Sequence, residues 1–142
     1  DDREEAVRLE RDLAATVRRV RATVGPGAGI VLLGTTPDYG FAPAACHSRR
    51  RFLGLDTDRC DLAPAANAAM AEVMDGVLAR IAAEQPGVHV FDPARSLCRD
   101  GLCRTRDTDE PWYADSNHLT PAGGRVQSAS LAAVLDRASA RP

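Results

Sequence analysis

The chain has 142 residues, about the length of one domain, and 44% of them are hydrophobic. Its 18 basic and 20 acidic residues give a net charge of −2, which argues against nucleic-acid binding because that function favours a basic surface. No apolar run approaches the roughly 18 residues that a membrane-spanning helix needs. The charged residues at the start do not have the pattern of a signal peptide.

The first half of the chain predicts one helix, one strand and one long loop. Apolar residues at three- and four-residue steps indicate an amphipathic helix over residues 2–24, which Gly25-Pro26-Gly27 ends. The apolar run from Gly29 to Leu33 is typical of a strand buried on both faces. Residues 38–62 show no hydrophobic period and contain turn-forming residues, so we expect a long loop there.

The second half predicts two more helices separated by a strand. Pro64 suits the first turn of a second helix, with Asp61 as a nearby cap. The strand Val88 to Phe91 follows. Thr120 as N-cap and Pro121 as first residue then predict the last helix. The expected apolar stripe of the second helix is Met70, Val73, Met74, Val77 and Ile81.

This alternation of helices and strands indicates an α/β fold with parallel strands. Two strands are too few, however, because apolar parallel strands normally lie within a larger sheet that is covered on both faces. We therefore expect further strands to come from elsewhere, so that this chain forms part of a larger domain.

The four cysteines allow three disulfide pairings. Cys98 and Cys103 flank Asp100-Gly101, a turn sequence that brings the chain back on itself, so we expect a Cys98–Cys103 disulfide. Cys46 and Cys60 would then close a longer loop. Two disulfides favour an oxidising, extracytoplasmic compartment. The alternatives are four reduced thiols, or a zinc site that uses Cys98, Cys103 and a histidine.

Asp115 and His118 are the candidate catalytic residues. Histidine titrates near neutrality and can act as a general base, and a carboxylate on its other ring nitrogen fixes the tautomer. A tight turn before a helix can bring these two side chains together. The alternative is that Asp115 caps a turn and His118 is simply solvated. His47, beside a cysteine, and His89, inside an apolar strand, are predicted to be structural.

The segment Trp112–Gly124 resembles the last conserved block of the SGNH (GDSL-type) hydrolases, which reads aromatic, x, Asp, x, x, His, Leu, Ser/Thr, x, x, Gly. The whole chain is similar to the SGNH domains fused behind membrane acyltransferases that acylate cell-envelope sugars. The matching features, in order, are Ile30 to Pro37 followed by Cys46, Val90 to Pro93, Cys98 to Cys103, and Asp115 with His118.

This resemblance implies a three-layer, flavodoxin-like α/β fold with a parallel sheet, of which residues 1–142 supply the C-terminal half. It also implies that the nucleophile is a serine in an upstream Gly-Asp-Ser motif, which this sequence lacks. Ser116 is too close to His118 in the chain to present its hydroxyl well. Ser48 and Ser96 have no nucleophile-elbow context.

The resemblance further implies an acyltransferase or esterase that transfers or removes an acyl group, with acetyl the expected group, on a cell-envelope saccharide. His118 would be the base and Asp115 its partner, and neither cofactor nor metal is expected. The implied partners are the serine-bearing half of the domain and a membrane acyltransferase domain, at the extracytoplasmic face of the membrane. The alternative is a non-catalytic domain that binds glycan or positions substrate.

Three consecutive arginines, Arg49-Arg50-Arg51, lie in the predicted loop. They are either solvated or in contact with an anionic polymer or lipid headgroup.

Overall fold

Two parallel strands lie at the centre of the structure, a computed structural model that describes residues 2–108 and 110–140. The strands are β1 (Ile30–Leu33) and β3 (Val88–Phe91), which pair in register from Ile30 beside Val88 to Leu33 beside Phe91. The remaining elements are α1 (Asp2–Val24), α2 (Pro43–Phe52), α3 (Asp58–Asp61), β2 (Leu62–Ala63), α4 (Ala68–Glu84), α5 (Ala94–Leu97), β4 (Cys98–Arg99), β5 (Leu102–Arg104) and α6 (Pro121–Ser139).

Helices cover both faces of the parallel pair, which makes the three-layer α/β arrangement expected from the sequence. On one face, Val17 of α1 and Val77 and Ile81 of α4 are buried against Val88 of β3. Helix α6 packs against both strands and contacts α5. This core is built from aliphatic side chains, whose burial contributes roughly 1.5–3 kcal/mol each.

A second core lies under a small antiparallel sheet with the strand order β2-β5-β4. Strands β4 and β5 join through Asp100-Gly101, and both turn residues have positive φ, as a two-residue hairpin requires. The buried residues of this core are Tyr39, Ala63, Leu97, Cys103, Trp112 and Tyr113.

Two disulfides, Cys46–Cys60 and Cys98–Cys103, are present, and they join the same pairs that the sequence analysis favoured. The first ties α2 to α3, and the second closes the β4–β5 hairpin. With all four sulfurs in disulfides, Cys98 and Cys103 have no thiolate to offer zinc, so the zinc alternative does not fit this structure.

The prediction of a long loop over residues 38–62 was wrong, because the segment contains α2, α3 and the start of β2. Pro43 occupies the first turn of α2, where its missing N–H costs nothing. It is also the only fully buried residue of that helix. Since α2 buries so little of one face, its sequence carries no helical hydrophobic period.

The second long helix begins at Ala68, later than the predicted start near Pro64. Residues 62–63 instead pair with β5, and the side chain of Asn67 bonds to the loop that follows β1. Two members of the expected apolar stripe, Met70 and Val73, are exposed. The buried face of α4 starts later, at Val77.

The outer edge of β1 is less covered than its apolar sequence predicts. Among the described residues, β1 pairs with β3 alone. Ile30, Val31 and Leu32 are half-buried and Leu33 is 65% exposed, so the expectation of a strand buried on both faces is not met in this chain. The expected α/β class with parallel strands is confirmed, but among the described residues both outer edges of this two-stranded sheet are unpaired, and β1 carries the exposed Leu33.

Candidate active site

The turn that carries Asp115 and His118 lies just beyond the carboxyl end of β1. The loop after β1 reaches it through two hydrogen bonds. The Tyr39 N–H donates to the Ser116 carbonyl oxygen (3.1 Å), and the Asn117 side-chain amide donates to the Asp38 carboxylate (3.5 Å). In open α/β sheets, ligands bind in the crevice outside the carboxyl ends of the strands. The turn therefore has the position expected of a functional site.

Asp115 and His118 are in direct contact. The Nδ1 atom of His118 lies 2.8 Å from Oδ2 of Asp115. Because an ionised carboxylate can only accept hydrogen bonds, Nδ1 carries the proton, and Nε2 is left with its lone pair. This is the tautomer that a general base needs, with the free nitrogen facing away from its supporting carboxylate.

The second oxygen of Asp115 holds the backbone of the turn. Oδ1 accepts hydrogen bonds from the N–H groups of Asn117 (3.0 Å) and His118 (2.8 Å). These backbone bonds, and then the bond to the His118 ring, lower the pKa of Asp115 to about 2. Asp115 is therefore ionised at any physiological pH and offers His118 a permanent negative partner.

Backbone bonds across the turn fix its shape. The Ala114 N–H donates to the His118 carbonyl (2.8 Å), and the Thr120 N–H donates to the Trp112 carbonyl (2.9 Å). Beneath them Tyr113 is fully buried, and its ring meets that of Tyr39 edge to face with centroids 4.9 Å apart. Burial raises the pKa of the Tyr113 phenol, so Tyr113 is a neutral packing residue.

The start of α6 completes the scaffold. The Thr120 hydroxyl donates to the Pro111 carbonyl (2.7 Å) and accepts from the Gly123 N–H (3.3 Å), which makes Thr120 the N-cap that the sequence predicted. Gly123 is needed because a Cβ there would overlap the Trp112 carbonyl oxygen and lie 2.9 Å from Leu119 Cδ2. The helix can therefore approach the turn only with glycine at this position.

The site is open to solvent, since the side chain of His118 is 79% exposed and that of Asp115 more than half exposed. An exposed Nε2 with a fixed tautomer can take a proton from a hydroxyl group that is brought to it and return it later. Among the described residues, no serine hydroxyl is hydrogen-bonded to His118. The site thus has the arrangement that a general base and an orienting carboxylate would need.

Comparison with known proteins identifies the family. The family model described as "SGNH domain (fused to AT3 domains)" matches residues 1–133. The chain belongs to this family. The family resemblance predicted from the sequence is confirmed.

The fold of this chain is similar to that of a solved structure, the periplasmic domain of a lipopolysaccharide acetyltransferase from Salmonella ser. Paratyphi A. The two chains superpose with a TM-score of 0.66 at 18% sequence identity, over 87% of this chain and 48% of the other. This chain thus spans about half the length of that structure. No curated protein matches the sequence.

The other candidates from the sequence are separate from the Asp–His turn of this SGNH domain. The Ser96 hydroxyl is hydrogen-bonded to that of Ser130 (3.1 Å), and Ser48 lies within α2. The ring of His47 contacts Arg106, and its Nε2 is 3.8 Å from Asp61, which ties α2 to α3. His89 lies in the middle of β3.

Sequence reasoning missed two residues that hold the site loop. Asp38 contacts Asn117, accepts the Gly40 N–H (2.8 Å), and donates its own N–H to Asn67 Oδ1 (2.9 Å). Asn67 in turn donates to the Thr36 carbonyl (3.1 Å). These partners are far apart in the sequence, so no local spacing signals them. The only local hint is that Asp38 is a polar residue directly after Pro37, in the loop that follows β1.

Proposed function

We propose that this chain carries the general-base half of an SGNH acyltransferase or esterase that acts on a cell-envelope saccharide. One observation carries the proposal: His118 Nδ1 is held by an ionised Asp115 while Nε2 stays free and exposed, in a chain of the SGNH family. His118 is the catalytic base, and Asp115 is the residue that positions it.

The proposed reaction is a two-step acyl transfer through a serine. The serine Oγ attacks the acyl carbonyl while His118 Nε2 takes the hydroxyl proton, and the new C–O bond gives an acyl-serine once the bond to the leaving group breaks. His118 returns its proton to the leaving oxygen. A saccharide hydroxyl then attacks the acyl-serine while His118 Nε2 takes its proton. The bond between the acyl carbon and the serine Oγ breaks, and His118 gives the proton to Oγ, which restores the serine. If water attacks instead, the same steps make an esterase.

We propose that the serine and the missing strands belong to an upstream half of the same domain. Two observations support this: the open, apolar edge of β1, and the coverage of about half of the solved SGNH structure. A parallel strand added to β1 would bury Leu33. It would also place its own carboxyl end next to the Asp115–His118 turn, where a nucleophile is required.

The cellular setting is part of the same proposal. The family is described as fused to AT3 domains, and the Salmonella protein is an acetyltransferase domain of the periplasm. We infer that this chain likewise serves an acyltransferase at the extracytoplasmic face of the membrane, with acetyl as the group moved. Its two disulfides are compatible with that compartment. Within residues 2–108 and 110–140, no helix has the length and apolar character to cross a bilayer.

The test compares His118→Gln with the wild type in the native polypeptide that contains this chain and its serine half. The substrate is a chromogenic acetyl ester, with and without a saccharide acceptor. Loss of the base should lower kcat by at least a thousandfold, whereas binding changes little. His89→Gln, the same change in β3, is the matched control and should keep kcat close to the wild-type value.

Two results would overturn the proposal. One is a His118→Gln enzyme with kcat within tenfold of the wild type. The other is a wild-type protein that neither reacts with a serine-directed fluorophosphonate probe nor turns over the ester. If that inactive protein still binds saccharide, the non-catalytic glycan-binding alternative is the correct one.

A further inference from the structure

Helix α2 ends in an exposed group of apolar and basic side chains, which we call the α2 tip (residues 49–55). Phe52 is 89% exposed, and Leu53 and Leu55 are both at least half exposed. Arg49 and Arg51 are exposed beside them. The tip lies outside the Asp115–His118 site and has no part in the reaction proposed above.

The backbone of the tip is a closed, well-bonded turn. The Leu55 N–H donates to the Arg50 carbonyl (2.9 Å) and the Gly54 N–H to the Arg51 carbonyl (3.1 Å), the two bonds of a Schellman motif. Gly54 has φ +66°, the left-handed conformation that this motif needs. The apolar side chains are therefore presented by a rigid turn, and exposure does not result from an unravelled helix end.

The arginines of the tip have different partners. Arg50 bonds to the Asp56 carbonyl and so closes the turn from the side. Among the described residues, the guanidinium groups of Arg49 and Arg51 form no hydrogen bond or ion pair, although both backbone carbonyls accept hydrogen bonds within the turn. Arginines near a helix C-terminus stabilise it through the helix dipole, but that role does not explain why the aromatic ring and two leucines that follow them in the chain are exposed.

The Cys46–Cys60 disulfide and the α2–α3 contacts anchor the tip to the body of the protein. Segment 47–59 is thus held at both ends, and every residue from 51 to 56 is exposed. The exposed aromatic and leucine side chains of this anchored segment are free to insert into another phase.

From these observations we propose that the α2 tip docks on a membrane surface that contains anionic lipid. Phe52, Leu53 and Leu55 enter the boundary between headgroups and acyl chains, and Arg49 and Arg51 bind lipid phosphates. Exposed aromatic and leucine side chains next to arginine are the combination that binds such interfaces. The chain as a whole is acidic, with net charge −2, so attraction to an anionic surface must come from a local basic group of this kind.

The proposal is tested with the native extracytoplasmic domain that contains this chain and its serine half, both disulfides formed, in co-sedimentation with vesicles of 70% phosphatidylcholine and 30% phosphatidylglycerol. Binding should be at least tenfold stronger than to pure phosphatidylcholine and should weaken in 0.5 M salt. Phe52→Ser with Leu53→Ser should abolish measurable binding. Arg49→Gln with Arg51→Gln should weaken it by about 10- to 30-fold, since each interfacial arginine contributes several-fold to affinity.

Two control variants match these changes elsewhere on the surface. Arg18→Gln with Arg19→Gln removes two exposed arginines of α1, and Val7→Ser with Met70→Ser removes two exposed apolar side chains. Both controls should bind as the wild type does. All variants change exposed residues, and far-ultraviolet circular dichroism checks that the helices remain.

Three results would overturn the membrane proposal. One is equal binding to neutral and anionic vesicles. Another is binding that the Phe52/Leu53 variant retains. The third is a change of oligomeric state or of association with the serine-bearing half when Phe52 is replaced, because the tip would then be a protein interface. His118→Gln should leave vesicle binding unchanged, so this proposal and the catalytic one fail independently.

Discussion

The Asp115–His118 turn and the outer edge of β1 are connected through the loop that follows β1, but they differ in how many of their backbone groups are paired. The turn bonds to itself through Ala114 and Thr120, and its carboxylate accepts three hydrogen bonds from within four residues. The edge of β1 has a partner on one side only and leaves Leu33 exposed. The Asp115–His118 turn is therefore shaped largely by local contacts, whereas the outer edge of β1 has no partner among the described residues.

The largest expected effect is on activity and concerns the Asp115–His118 turn. Asp115→Asn keeps the shape of the turn but lets an amide group face Nδ1, which favours the wrong histidine tautomer. In the native polypeptide with its serine, kcat should fall by about 10³- to 10⁴-fold. The measurement is acetyl-ester turnover, with Asp136→Asn on the exposed side of α6 as the matched control.

The pH dependence of the activity tests whether the ionised Asp115 positions His118. The pKa of Asp115 is held at about 2, below the ordinary value of about 3.9, so its support for His118 is present above about pH 4 and is lost only as the pH falls through about 2. Any loss of wild-type activity between pH 4 and pH 7 must come from another group. A fall in wild-type activity near pH 4 that is absent in Asp115→Asn would contradict the assigned pKa of Asp115.

The second effect is on stability and concerns the outer edge of β1. If another strand covers β1 in the intact domain, Leu33→Asp buries an unpaired charge and should lower the free energy of unfolding by about 3 kcal/mol or more. If Leu33 stays exposed there, the change should cost no more than about 0.5 kcal/mol. Urea unfolding of the intact domain distinguishes the two results. Leu135→Asp, an equally apolar and half-exposed position on α6, is the control.

The same contrast explains which parts of the structure the sequence could predict. The spacing of Asp115 and His118, the Thr120 cap and the Cys98–Cys103 hairpin all depend on residues within a few positions of each other. Strand β3 and the helices α1 and α6 follow from hydrophobic patterns, and the α/β class follows from their order. Short-range chemistry was therefore a good guide wherever the contacts themselves are short-range.

The parts that could not be predicted depend on distant contacts or on faces that are only partly buried. Helix α2 buries Pro43 alone, so no hydrophobic period marks it. The support from Asp38 and Asn67 joins segments about 30 to 80 residues apart. Met70 and Val73 fit an apolar stripe but are exposed, because the pattern alone does not say which turns of a helix meet a neighbour.

The third effect tests how tightly α6 must approach the turn. Gly123→Ala places a methyl group against the Trp112 carbonyl and Leu119, so the helix or the turn must shift, at a cost of about 1–3 kcal/mol. At the adjacent Gly124 an added Cβ meets nothing within 4 Å, and Gly124→Ala should be neutral or stabilise the helix by up to about 1 kcal/mol. Equal unfolding midpoints for the two variants would contradict the close approach.

The smallest effect separates capping from catalysis within the same turn. Thr120→Ala removes the cap bond to Gly123 and the bond to Pro111, which should lower the free energy of unfolding by about 1 kcal/mol. Thr120→Ser keeps the hydroxyl and should recover most of that loss. The hydrogen bonds between Asp115 and His118 do not involve Thr120, so kcat of the folded variant should stay within a few-fold of the wild type. A thousandfold loss of kcat in Thr120→Ala would mean that the turn does not hold its own shape. The turn would then resemble the edge of β1, because both regions would need contacts from other parts of the protein to keep their shape.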